Sequence, residues 1–214
     1  MINEQLMGKI LSRLSTYNPA SGMQPAIAIP VGVSNRHVHL SQQDVEALFG
    51  QGYQLTPFKD LKQLGQFAAK ECVMVVGPKG SISKVRVLGP VRPKSQLEVS
   101  KADCFALGIK APVRESGDLT DSGSALLIGP AGHANLESQV ICAQRHIHMN
   151  TMDARALNVV NGQKVNIRTE GERRLVFDEV VVRIDERFSL EFHIDTDEAN
   201  AAGLRNNDSV FIVG

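Results

Sequence analysis

Asn35-Arg36-His37-Val38-His39-Leu40-Ser41 and Gln144-Arg145-His146-Ile147-His148-Met149-Asn150 are two copies of one pattern, set 109 residues apart. The likeness continues past the histidines, where Asp44, Ala47 and Leu48 reappear as Asp153, Ala156 and Leu157. Self-similarity at this spacing marks a duplicated structural unit, and every other feature is read against it. A strand-like apolar run enters each copy, over 26–33 and 140–143. Ser41 and Asn150 then stand as helix N-caps with an aspartate three residues on, a variant of the capping box. Each unit thus begins with a strand, a His-x-His and a short helix.

The far ends of the units align at a spacing of 95. Leu97-Glu98-Val99 pairs with Phe192-His193-Ile194, Ala106-Leu107-Gly108-Ile109 with Ala201-Ala202-Gly203-Leu204, and Arg92 with Arg187. The first unit therefore carries about 14 extra residues, placed around Phe58 to Phe67. Between these anchors the chain reads as β: Cys72 to Gly77, Ser83 to Leu88, Gln163 to Arg168 and Val180 to Ile184, punctuated by glycine-rich turns. This predicts a mainly β chain with short helices, built as two tandem duplicated small β-barrels capped by short helices. The expected boundaries are 26–112 for the first barrel, 113–139 for a connector and 140–214 for the second barrel. Ile2, Leu6, Met7, Ile10, Leu11 and Leu14 form one stripe at helical period, so 1–18 is expected to be an amphipathic helix followed by a linker over 19–25. Such a helix docks either on its own domain or, as a detachable peptide, on another protein.

Lys plus Arg and Asp plus Glu both number 23, so no bulk positive charge favours nucleic acid. Ten aromatic residues, none of them Trp, make a poor base-stacking platform. No apolar run approaches the roughly 18–20 residues of a membrane span, and nothing reads as a secretory signal. Three cysteines are no disulfide framework, which fits a reduced cytosolic setting. Cys72, Cys104 and Cys142 are expected to be buried packing residues, with Cys142, four residues before His146, the one to watch as a nucleophile. His133, outside both copies, is expected in a loop.

Residues two apart on a strand share a face, so His37 and His39, and likewise His146 and His148, can aim both imidazoles at one point. The duplication supplies a third ligand for each pair: Glu98 for the first, His193 for the second. Three protein ligands with an open fourth position suit a catalytic metal, zinc above all, rather than a structural one. The competing reading is ordinary strand histidines, which a single His-x-His would favour and two matched copies do not. Arg92, on the stiff Gly89-Pro90-Val91-Arg92-Pro93 loop, either lies on the surface or offers its guanidinium to a phosphate or carboxylate.

Val33-Ser34-Asn35-Arg36-His37-Val38-His39-Leu40, Gln144 to Met149, and Phe192 to Asn200 resemble the PduL-type phosphate propanoyltransferases of bacterial microcompartments, over about 26–214. The resemblance implies two β-barrels with two zinc ions per chain, held by His37, His39 and Glu98 and by His146, His148 and His193. It implies that propanoyl-CoA and phosphate are interconverted with propanoyl phosphate and CoA during 1,2-propanediol degradation, acetyl groups also being accepted. It makes Arg92 the phosphate-binding residue and places Val33, Ser34, Asn35, Lys79, Arg86 and Asn200 against coenzyme A. Residues 1–18 would then be an encapsulation peptide meeting shell or cargo proteins in the microcompartment lumen, within the cytoplasm. No nucleic acid or membrane partner is expected, and a homo-oligomer stays open. The alternatives are the same two-metal site acting mainly on acetyl-CoA and acetyl phosphate, a dinuclear zinc thioester hydrolase, or a non-catalytic scaffold in which zinc joins the barrels.

Overall fold

The computed structural model describes residues 27–213; the expected helix over 1–18 and linker over 19–25 lie outside the described residues. The first half runs β1 (Ile29–Ser34), β2 (His37–His39), α1 (Gln42–Phe49), β3 (Pro57–Asp60), β4 (Phe67–Val76), β5 (Ser81–Gly89), β6 (Gln96–Glu98) and α2 (Lys101–Leu107). Then come β7 (Val113–Arg114), β8 (Gly123–Ile128), β9 (His133–Ala143), β10 (His146–Met149) and α3 (Thr151–Leu157). The chain closes with β11 (Lys164–Arg168), β12 (Val176–Ile184), β13 (Glu191–Asp195), α4 (Thr196–Ala202) and β14 (Ser209–Val213).

These strands make two closed six-stranded barrels with the same pairing scheme. In the first, β2 runs parallel to β5 and antiparallel to β6; β6 is parallel to β9, and β9, β8, β4 and β5 close the ring antiparallel. In the second, β10 runs parallel to β12 and antiparallel to β13; β13 is parallel to β1, and β1, β14, β11 and β12 close the ring antiparallel. β3 and β7 lie outside the rings, along β4 and β9.

The closure corrects the expected boundaries. Residues 113–139 are no passive connector: they hold β7, β8 and most of β9, and β8 and β9 complete the first barrel. β1, expected in the first barrel, pairs among the described residues with β13 and β14 of the second. Residues 140–143, expected in the second, pair with β6 and β7 of the first. Local periodicity identifies a strand but carries no information about the sheet it joins. His133, expected in a loop, is the first residue of β9.

The exchange places both histidine motifs. Asn35-Arg36 alone joins β1 to β2, and Gln144-Arg145 alone joins β9 to β10. Three peptide steps span at most about 10–11 Å, so each His-x-His strand starts where one barrel meets the other. Alternation then decides which way the histidines face. Val38, Leu40, Val85, Val87 and Leu97 fill the first barrel, and Ile147, Met149, Val180, Val182 and Phe192 fill the second. Their neighbours His37, His39, Glu98, His146, His148 and His193 therefore stand on the outer walls. Ile141 and Val181 are buried yet belong to neither barrel core, as side chains packed between two walls must be.

Both expected caps are present. Ser41 Oγ accepts from the Asp44 N–H at 3.2 Å, and Asn150 Oδ1 accepts from Met152 and Asp153 at 2.9 Å each. α2 and α4 begin with full capping boxes, Ser100 with Asp103 and Asp195 with Glu198. Arg36, pointing away from His37, pairs with Asp103 at 2.8 Å, and its duplicate Arg145 pairs with Glu198 at 2.9 Å. α2 closes on the first barrel at Gly77, where a Cβ would lie 2.3 Å from the Leu107 carbonyl oxygen at the end of the helix.

Candidate metal centre

Each barrel wall gathers one three-donor cluster. His37, His39 and Glu98 offer ligand atoms within 4.8 Å of one another, and so do His146, His148 and His193. The registers explain this. His37 lies opposite Glu98 across β2 and β6, and His146 lies opposite His193 across β10 and β13, so each third donor shares the face of its pair. The pairing inferred from the duplication is the one the strands enforce.

The hydrogen bonds set the imidazole tautomers. Carbonyls only accept, so His37 Nδ1 donates to the Asn35 carbonyl at 2.9 Å and His146 Nδ1 donates to the Gln144 carbonyl at 2.8 Å. In the neutral ring each residue then has its lone pair on Nε2. His37 Nε2 lies 3.5 Å from Glu98 Oε2. A guanidinium only donates, so Arg92, with Nη2 at 2.9 Å, marks His39 Nε2 as a lone pair too. In the second cluster both ring nitrogens of His148 are buried without a partner among the described residues. Leaving such atoms bare costs about 1–3 kcal/mol, which argues that something else takes them. The chemistry of both donor sets fits a divalent metal.

The electrostatics agree. Burial, with the His37 and Arg92 charges adding, lowers the His39 pKa to about 3. Burial and the His193 charge lower His146 to about 4, and burial with His146 and His193 lowers His148 to about 2. Burial would raise Glu98, but His37, His39, Ser116 and Arg92 outweigh it and bring its pKa to about 2. At neutral pH these groups are neutral imidazoles and a carboxylate, the forms that bind metal. Glu98 also acts on His146 and Arg183 on Arg92, so the two clusters and both arginines share one electrostatic environment.

Arg183 was not singled out by the sequence. It lies opposite His148 in the β10–β12 register and hence on the same wall, half-buried, with no ion pair among the described residues. At the corresponding place in the first barrel Leu88 faces His39. That break in the duplication was the available signal. Conversely Arg187, matched to Arg92 by spacing, points outward and pairs with Asp185 at 2.8 Å. Arg92 is kept at the site by its own N–H, which donates to the Leu40 carbonyl beside His39. Phe188 lies on His148 with ring centroids 4.0 Å apart.

The remaining candidates are dispersed. Arg86 shares the wall with His37, where it donates to the Ala69 and Lys70 carbonyls and lies against Phe58. Val33, Ser34 and Asn35 form the end of β1 and the crossing beside it, Ser34 in register with Asp195. Asn200 is exposed on α4. Lys79 is not brought to the histidines: it sits in the β4–β5 turn against Phe105. Cys142 faces the interior of the first barrel, its Sγ 3.7 Å from that of Cys104. The Cys104 contact and burial push its thiol pKa up, the reverse of what a nucleophile needs.

No helix among the described residues is long and apolar enough to cross a membrane. Residues 30–205 match the family model of phosphate propanoyltransferase. Among relatives bearing that name, a Thermotoga maritima protein is 56% identical over 186 residues, 86% of this chain and 89% of its own. One from Rhodobacter capsulatus is 49% identical over 97% of this chain and 96% of its own, and one from Escherichia fergusonii is 52% identical over 83% and 85%. With two matched donor clusters on facing barrel walls and this likeness along most of its length, the chain belongs to the phosphate propanoyltransferase family.

Proposed function

We propose that this acyltransferase moves a propanoyl group between coenzyme A and phosphate at a two-zinc site, His37, His39 and Glu98 holding one ion and His146, His148 and His193 the other. The observation that carries this is the pair of preformed three-donor clusters, with both His148 ring nitrogens buried and unpartnered among the described residues and Arg92 against His39. When bound, the ions supply Lewis-acid charge and an affinity for thiolate.

The rest falls to the chain itself. Phosphate at neutral pH is already a nucleophile, so no general base is required; its attack on the thioester carbon forms the C–O bond and releases CoA as the thiolate. What the protein must supply is placement against charge repulsion. Arg92 and Arg183, one from each barrel, hold the phosphate oxygens between the clusters in this reading. Phe188 and the buried Val181 and Ile141 keep bulk water from the wall on which the acyl group would react. Arg86 and the end of β1, Val33 to Asn35, are the coenzyme A contacts this reading retains first, with Asn200 and Lys79 farther out. Propanoyl is the expected acyl group and acetyl a second substrate. The stripe in 1–18 acts as a docking peptide that loads the enzyme into a microcompartment handling 1,2-propanediol.

The test is thiol release from propanoyl-CoA by purified protein, with and without phosphate, before and after chelation and metal return. Release that needs both phosphate and metal supports the proposal. Release indifferent to phosphate would establish a thioester hydrolase instead. Bound metal in a folded chain without release would establish a scaffold.

A further inference from the structure

The residue two places before each third donor hydrogen-bonds it. Gln96 Nε2 donates to Glu98 Oε1 at 2.6 Å, and Glu191 Oε2 lies 3.0 Å from His193 Nε2. Gln96 and Glu191 are duplicates of one another, as Glu98 and His193 are. The duplication has kept the pair and reversed its polarity: a donor serves the carboxylate, an acceptor serves the imidazole. Glu191 is not one of the three convergent donors of its cluster. An Nε2–H donated to Glu191 leaves His193 Nδ1 as the lone-pair nitrogen.

Reversal leaves a charge to be balanced. Glu191 is 6% exposed, and a buried carboxylate needs a partner. Lys62 provides it, with Nζ 2.6 Å from Glu191 Oε1 and 3.1 Å from Asn207 Oδ1. Next to it Gln63, 7% exposed, brings its amide to 3.4 Å from His193 Nε2 while its Oε1 lies buried without a partner among the described residues. Turning that amide over would set the oxygen against the same N–H. Lys62 and Gln63 lie between β3 and β4, in the extra segment that only the first unit possesses. That segment therefore crosses to the other barrel and ends on its third histidine. Gly32 leaves room for the arrangement, since a Cβ there would stand 2.6 Å from the Glu191 carboxyl carbon.

We propose that Glu191, held by Lys62 of this inter-barrel strap, is the positioning residue that fixes the tautomer and orientation of His193 for metal binding at the second cluster, with Gln63 of the same strap against the His193 ring. The inference rests on the two-metal reading above and adds a dependence of one site on a loop of the opposite barrel. A carboxylate–histidine contact of this kind is worth about 10–100-fold in metal affinity.

The experiment uses full-length protein stripped of metal and titrated with Co2+ against a chromophoric chelator, giving stoichiometry and both affinities. Wild type should take two ions and His193→Ala should lose one. Glu191→Gln, which keeps shape and removes charge, should weaken that same ion about 10–100-fold and leave the other within twofold. Lys62→Met should shift the same ion in the same direction, and because Lys62 is half-exposed it serves if Glu191→Gln does not fold. Exposed Glu179→Gln should change neither ion. Two ions bound with wild-type affinity in Glu191→Gln and Lys62→Met, or equal weakening of both ions, would overturn the positioning role while leaving the metal reading intact. No Co2+ bound by wild type would overturn both.

Discussion

Replacing Arg183 by Leu gives the second barrel the residue that the first carries at the matching position, Leu88 opposite His39. The substitution removes a half-buried guanidinium that pairs with no carboxylate among the described residues, so no acid is stranded by its loss. A hydrogen bond to a charged group contributes about 1.5–3 kcal/mol; at 1.4 kcal/mol per factor of ten, losing one to phosphate predicts a drop of about 10–150-fold in kcat/KM for phosphate. The KM for propanoyl-CoA should move less than about threefold, because the thioester end is not what Arg183 faces. Arg92→Leu should fall at least as far, since Arg92 also touches His39 at 2.9 Å. Arg187→Leu is the control: it matches Arg92 by spacing, yet its guanidinium is exposed and paired with Asp185. Initial rates at varied phosphate and, separately, at varied propanoyl-CoA, with melting curves for each variant, provide the readout. Arg183→Leu with unchanged phosphate dependence and an intact fold would show that the two-arginine cradle is wrong.

Cys142→Ala should retain kcat within about twofold while losing about 1–2 kcal/mol of stability, as a core truncation does; loss of turnover in a folded variant would revive an acyl-enzyme on sulfur. Gly77→Ala should destabilise by about 1–3 kcal/mol through overpacking, since its Cβ would meet the Leu107 carbonyl at 2.3 Å, and at about 2–4 °C per kcal/mol for a chain of this size the melting curve resolves it. Burial alone would raise the pKa of Glu71, but hydrogen bonds from backbone N–H groups and from Thr56 and Tyr53 leave it below its ordinary 4.5. A depressed carboxylate stabilises the fold above 4.5 and stops doing so as pH falls through its folded value. The urea midpoints of wild type and Glu71→Gln should therefore differ at neutral pH and converge well below 4.5.

Much of the site was legible because duplication repeats register as well as residues. Once His37 was matched to His146, the partner facing each across the antiparallel ladder had to match too, and Glu98 and His193 followed. The segment that became the strap was visible as a change of spacing, though not its destination, because an insertion's length says nothing about what it touches. The exchange of β1 and β9 was invisible for a related reason: alternating apolar residues mark an inward face, and both interiors are made of Val, Ile and Leu. Arg183 is not legible from the duplication because it stands where the copies differ, opposite His148 where Leu88 stands opposite His39. Lys79 comes from the resemblance alone, and the β4–β5 turn sets it against Phe105 at the α2 end.

The crossing of β1 and β9 has a meaning for the history and the handling of this molecule. Cut the duplication in half, and each piece is a unit whose first strand closes the barrel of its neighbour. Two identical copies of such a unit would form a reciprocal domain-swapped dimer, with one donor cluster per copy brought to a shared two-fold interface. The present chain has the topology of that dimer fused end to end, its two clusters since differentiated. A fused swap does not come apart into domains: either half expressed alone lacks the strand that closes its ring and exposes two raw sheet edges. Unfolding should accordingly be one transition for both barrels. Co-expressed halves should recover the fold by trading strands, while separately purified ones should aggregate.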